Sequence, residues 1–209
     1  MPTVRERVDT GRTEAFSDGV FAIAVTLLVL EISVPEDAFD NLWRGIADQW
    51  PSYLAYFTSF STVGGLWLAH HAILRRMRYA DSTVIRLNLL LLMAVAFLPF
   101  PTSLVAEAIN RTSAERPAVL FYGASLLVTT ALITAIGRYA GARTELLREG
   151  VPAGEVLAVA SVTAPSLGFY AVVLLLAALA PVVAAFGFLG VGLLAVLRAR
   201  GDTAGEPGG

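Results

Sequence analysis

The sequence predicts an all-α integral membrane protein, a bundle of six transmembrane helices. Three observations carry this. Hydrophobic residues make up 56% of the chain and charged ones only 15%, with a mean hydropathy of +0.68, whereas soluble domains are about 25% charged. The apolar residues fall in blocks of roughly the 20 residues that a bilayer-crossing helix needs. The arginines collect in alternate connections between those blocks.

The first 16 residues, MPTVRERVDTGRTEAF, are polar for too long to be a signal peptide, and no small-residue cleavage site follows an apolar core. The first apolar block is therefore expected to remain as a membrane helix, about Glu14–Val34, closed by Pro35. The second span runs about Pro51–Leu74, the third about Val84–Ala108, the fourth about Pro117–Tyr139 and the fifth about Val156–Ala180. The sixth starts near Pro181 and ends near Leu197. Pro51, Pro117 and Pro181 occupy first-turn positions, where a missing N–H costs little. A tight hairpin at Ala180-Pro181 separates spans five and six, because one helix of their combined length exceeds the bilayer about twofold. Pro99 and Pro101 are expected to break span three, as a helix end rather than a hinge. Residues 1–200 thus form a single transmembrane unit, and residues 201–209, GDTAGEPGG, read as a disordered tail.

All 15 basic residues are arginine, and 12 of them lie before span one, after spans two and four, or after span six. The other three, Arg44, Arg111 and Arg116, lie on the opposite side. The positive-inside rule then places both termini in the cytoplasm of a multi-pass protein of the cell membrane. An even number of spans requires the same.

Cysteine is absent, which excludes disulfides and thiolate metal sites. A net charge of -2 and a pI near 5.7 give no reason to expect nucleic-acid binding. Two histidines and no catalytic cluster leave an enzyme little to work with, so none is expected. His70 and His71 are adjacent, about 100° apart on a helix, and without a third ligand make a poor metal site.

The most informative stretch is RTEAFSDGVFAIAVTLLVLEISVP, the first span with its flanks. A lipid anchor would be apolar and featureless. This helix carries Ser17 and Asp18 near its start, Thr26 in its middle and Glu31 near its end. Charges in a membrane segment cost several kcal/mol and tend to face a bundle interior or water. Asp18 and Glu31 are separated by about 20 Å along a helix and so lie near opposite boundaries. Asp18 is either interfacial, or paired with Arg12, or part of a buried network. Ile23, Thr26, Leu27 and Leu30 share one face; taken alone, that stripe is ordinary helix packing. Trp67 suits a membrane boundary and a packed core alike.

The stretch resembles the first helix of the transmembrane protein 175 family, whose hallmark is Arg, three residues, then Phe-Ser-Asp. Here those are Arg12, Phe16, Ser17 and Asp18, followed by the similar run GVFAIAVTLLVLEI. The likeness extends, less specifically, to the Trp67–His71 segment, Asn88 and the FLPFP run at Phe97–Pro101. It implies a potassium-permeable cation channel, conducting passively down the electrochemical gradient, with a single six-helix unit that assembles as a homotetramer. The first helix of each subunit would line a central pore. By position, Ile23 would form the apolar constriction, with Thr26, Leu27 and Leu30 lining the path beyond. Thr26 hydroxyls would either offer oxygen ligands or bond the backbone. Glu31 would place carboxylates at the outer mouth. The Phe-Ser-Asp segment would be a hydrogen-bond hub with His71 and Asn88. The implied partners are the lipid bilayer and monovalent cations. No cofactor is implied, and the only metal is the permeant potassium. A small secondary transporter and a structural membrane protein are the competing classes. No inverted repeat supports the first, and the first-helix match argues against the second.

Overall fold

The computed structural model describes residues 8–33, 35–109, 113–177 and 179–203 of the chain. Nearly all of them are helical. Helix α1 (Thr10–Leu27) tightens into a 3-10 turn at Leu28–Glu31. A second 3-10 turn (Glu36–Asn41) and the short helix α2 (Leu42–Asp48) lead into α3 (Trp50–Arg76). Helices α4 (Ser82–Phe97) and α5 (Pro99–Ala108) follow, then α6 (Glu115–Gly141), α7 (Ala153–Ala177) and α8 (Pro181–Thr203).

Among the described residues, three rods are long and apolar enough to cross a membrane: Thr10–Glu31, Ser82–Ala108 and Glu115–Gly141. Helix α3 has the length but not the hydropathy, because its inward face is polar: Ser52, Thr58, Ser59, Thr62 and His70 are all buried. Shorter apolar stretches occupy Leu167–Ala177 and Pro181–Leu194. The all-α membrane class stands.

Several boundaries differ from those expected. Helix α1 starts at Thr10, four residues early, because the Asp9 side chain caps it, accepting from the Gly11 amide at 2.7 Å. The rod then ends at Glu31, and Ile32 is already extended. Pro99 does not end the third span. Leu98 keeps helical angles and Pro99 opens α5 in its first turn, where a missing N–H is harmless, so the rod continues to Ala108. Gly201–Thr203, expected in a disordered tail, extend α8; residues 204–209 lie outside the described part.

The packing is a bundle in which α6 runs along α7 and α3 along α8, with α1 laid against α3 and α4. Leu74, Val84, Leu91, Leu126, Ile133 and Phe188 are fully buried within it. One end of the bundle is also knotted by polar contacts. A two-residue ribbon pairs β1 (Val8–Asp9) with β2 (Tyr79–Ala80). Thr10 Oγ1 donates to the Met77 carbonyl at 3.0 Å. The Arg78 and Arg148 amides donate to the Leu146 and Arg76 carbonyls, at 2.8 and 3.0 Å. Asp81 caps α4 through the amides of Thr83 and Val84, and its other oxygen accepts from the Tyr139 hydroxyl at 2.7 Å. The start of α1 is thus fastened to α3, α4 and α6 at a single platform.

Candidate functional site

Helix α1 presents two faces of different character. Ser17, Phe21, Ala24 and Leu28 recur at helical spacing and are buried. The opposite stripe, Phe16, Gly19, Ile23, Thr26, Leu27 and Leu30, is exposed, with Ile23 at 61% and Leu30 at 70%. Only 22% of the membrane-length window of this rod is buried. Both faces are apolar, so hydrophobicity alone does not separate them; contact with the rest of the chain does.

The buried face is held by a directional relay across three helices. His70 Nε2 lies 2.7 Å from Asn88 Oδ1 and donates to it. Asn88 Nδ2 donates to Ser17 Oγ at 3.0 Å, and Ser17 Oγ donates to the Thr13 carbonyl at 2.7 Å. That sequence of donors fixes the amide orientation of Asn88, since its oxygen must face the imidazole. Ser17, His70 and Asn88 are almost wholly buried, and an orphaned group among them would cost about 1–3 kcal/mol. Phe21, one turn after Ser17 on the same buried face, packs its ring 5.4 Å from that of His70.

Beside the relay lies a second, half-exposed group. Trp67 Nε1 donates to Asp18 Oδ1 at 2.8 Å. The Trp67 indole stacks on the His71 ring at 5.6 Å and 25°. His71 Nδ1 lies 2.9 Å from Glu14 Oε1, close enough for an ion pair but not aligned for a hydrogen bond.

Of the residues singled out from sequence, Ser17 and Asn88 come together, and Asp18 lies beside them. His71 was expected among the partners of the Phe-Ser-Asp segment; it lies with Asp18 and Glu14, but the histidine hydrogen-bonded to Asn88 is His70. Position decides this. The inward stripe of α3 runs Ser59, Thr62, Leu66, His70, Ile73, all buried, and His71 falls one step off it. The alternation of small, polar and apolar residues along α3 was the available signal. Arg12 is not beside Asp18: it lies inside α1, six residues and about 240° away, and is exposed. Phe16 is exposed at 57% rather than packed in the hub. Sequence reasoning also missed Glu14 and Trp67 as the partners of His71 and Asp18.

At the other end of the exposed stripe, Thr26 Oγ1 donates to the Ile23 carbonyl at 2.8 Å, three residues back, where the helix begins to tighten. Glu31 closes the 3-10 turn and is half-buried.

Comparison with known proteins adds to this geometry. Residues 12–99 match the profile of the family described as endosomal/lysosomal potassium channel TMEM175. A potassium channel of Chamaesiphon minutus is 40% identical over 162 residues, 76% of this chain and 79% of that one. A potassium channel of Streptomyces collinus is 46% identical over 115 residues, which span 54% of this chain and 56% of that protein. The crystal structure of a lysosomal potassium-selective channel TMEM175 homolog from Chamaesiphon minutus superposes with a TM-score of 0.81 at 35% identity, covering 91% of this chain and 98% of that one.

Proposed function

This chain belongs to the TMEM175 family, and from that premise we propose that it is a potassium-permeable cation channel of the cell membrane. In this reading it carries six transmembrane spans with both termini cytoplasmic. Four copies assemble around an axis lined by α1, and potassium passes down its gradient. The observation that carries the reading is the free apolar face of α1. The helix is anchored through Ser17 on one side, and turns Ile23, Thr26, Leu27 and Leu30 away from its own subunit.

The chemistry follows from the side chains on that face. Four Ile23 side chains meeting on an axis make an apolar ring that gates by dewetting. A bare potassium ion would lose its hydration there at large cost, so conduction needs the ring to open far enough for a partly hydrated ion. Thr26 lies one turn beyond. Its proton is directed back to the Ile23 carbonyl, which leaves the oxygen lone pairs free for a cation. Backbone bonding and ion coordination are therefore compatible in this geometry. Glu31 raises the local cation concentration at the outer end.

The test is potassium flux into liposomes containing purified protein. Ile23→Asn wets the ring and raises flux at least several-fold over the parent chain. Equal flux from the two, with equal incorporation, would remove Ile23 from the permeation path.

A further inference from the structure

We propose that Glu14, Asp18 and His71 form a binding site for a divalent transition-metal cation, of the zinc or cobalt class, that bridges α1 to α3. Glu14 and Asp18 stand four residues apart on one face of α1, and His71 reaches them from α3. One oxygen of each carboxylate and one nitrogen of His71 all lie within 4.8 Å of one another. Ligands about 2.0–2.2 Å from a tetrahedral metal stand about 3.3 Å apart, so small side-chain rotations bring the three onto one ion.

Three features favour a metal over a simple ion pair. The Nδ1 atom of His71 is buried and, although Glu14 Oε1 is 2.9 Å away, makes no hydrogen bond; a buried nitrogen without a hydrogen bond is uncommon. Two carboxylates share the place, and no arginine pairs with either among the described residues. The surroundings also resemble the outer support of a metal centre. Trp67 fixes Asp18 through one oxygen, leaving the other for an ion, and its indole fixes the plane of the His71 ring. Two oxygens and an imidazole nitrogen select zinc, cobalt, nickel or copper over magnesium and calcium. The site lies on the anchored side of α1, away from the Ile23 stripe, and stands or falls independently of permeation.

Trp67 supplies the readout. Full-length protein carrying Trp43→Phe and Trp50→Phe, with Trp67 as its one indole, is titrated with cobalt(II), which quenches a neighbouring indole. Saturable quenching is expected with a Kd of order 10 μM, reversed by zinc(II). Glu14→Gln and His71→Ala each weaken it at least about tenfold, while Glu155→Gln, on an exposed pair with Arg76, leaves it unchanged. Thermal unfolding of the unsubstituted chain gives a second reading that requires no variant, since zinc(II) raises its Tm by mass action. Quenching that stays linear to about 1 mM with no Tm shift, or undiminished affinity in Glu14→Gln, overturns the site.

Discussion

Helices α1 and α6 are both long and apolar enough to span a membrane, yet they use their surfaces in opposite ways. Half of the α6 window is buried, against 22% of that of α1. Their glycines show why. A Cβ at Gly137 of α6 would stand 2.9 Å from the Ala160 Cβ and 3.1 Å from Ile73 Cδ1, and one at Gly123 would collide with Phe188. Nothing lies within 4 Å of a Cβ at Gly19 of α1. In α6 the small residues let neighbouring helices of the same subunit approach closely. In α1 the small residue sits on a face that the subunit leaves uncovered. Similar hydropathy therefore hides two roles, an internal strut and a surface awaiting lipid or other copies.

The largest effect expected from that contrast is at α6. Gly137→Leu drives a side chain into Ala160 of α7, whose Cα is itself only 3.6 Å from the added Cβ. Helix α7 must then move as backbone, at a cost of about 3 kcal/mol or more. Thermal unfolding in detergent measures it as a large fall in Tm; a fall comparable to that of an exposed substitution would mean the α6–α7 seam is loose.

A smaller effect is expected where α1 is anchored. Asn88→Leu leaves Ser17 Oγ without its donor and His70 Nε2 without its acceptor, both buried. The expected loss is about 1–3 kcal/mol. Ser17→Ala removes less, because it orphans one buried group, Asn88 Nδ2, where Asn88→Leu orphans two. If Asn88→Leu unfolds at the parent temperature, the relay carries no weight in holding α1.

Much of this contrast was visible in the sequence, and some of it could not be. The helical class follows from apolar block length, and the peculiarity of α1 from Ser17, Asp18, Thr26 and Glu31 in one span. The direction of its two faces was half legible. Ile23, Thr26, Leu27 and Leu30 share a side by spacing, but apolar residues also fill the other side, at Phe21, Ala24 and Leu28, so hydropathy gives no vector. The choice between His70 and His71 turns on about 100° of helix rotation, which only the packing of α3 against α1 and α4 fixes. The third span was legible to Ala108; what proline did not reveal is that the break at Pro99 only changes one helix for the next within it, because proline is at home in a first turn.

The smallest expected effect on stability is the most discriminating one, at Gly19. Leucine there enters open space within the subunit and replaces a poor helix former with a good one, a gain of about 0.5–1 kcal/mol. The unfolding temperature should hold or rise slightly. Gly19 lies one turn before Ile23 on the same exposed stripe, so in the proposed tetramer four leucines would narrow the axis immediately before the apolar ring. Potassium flux in liposomes should drop severalfold with no loss of folded protein. Folding and transport then respond in opposite directions to one substitution, which a lipid-facing α1 does not produce: there Gly19→Leu would raise stability and leave flux alone. A fall in Tm as large as that of Gly137→Leu would instead show that the α1 face is covered within the subunit, and the contrast between the two helices would be lost.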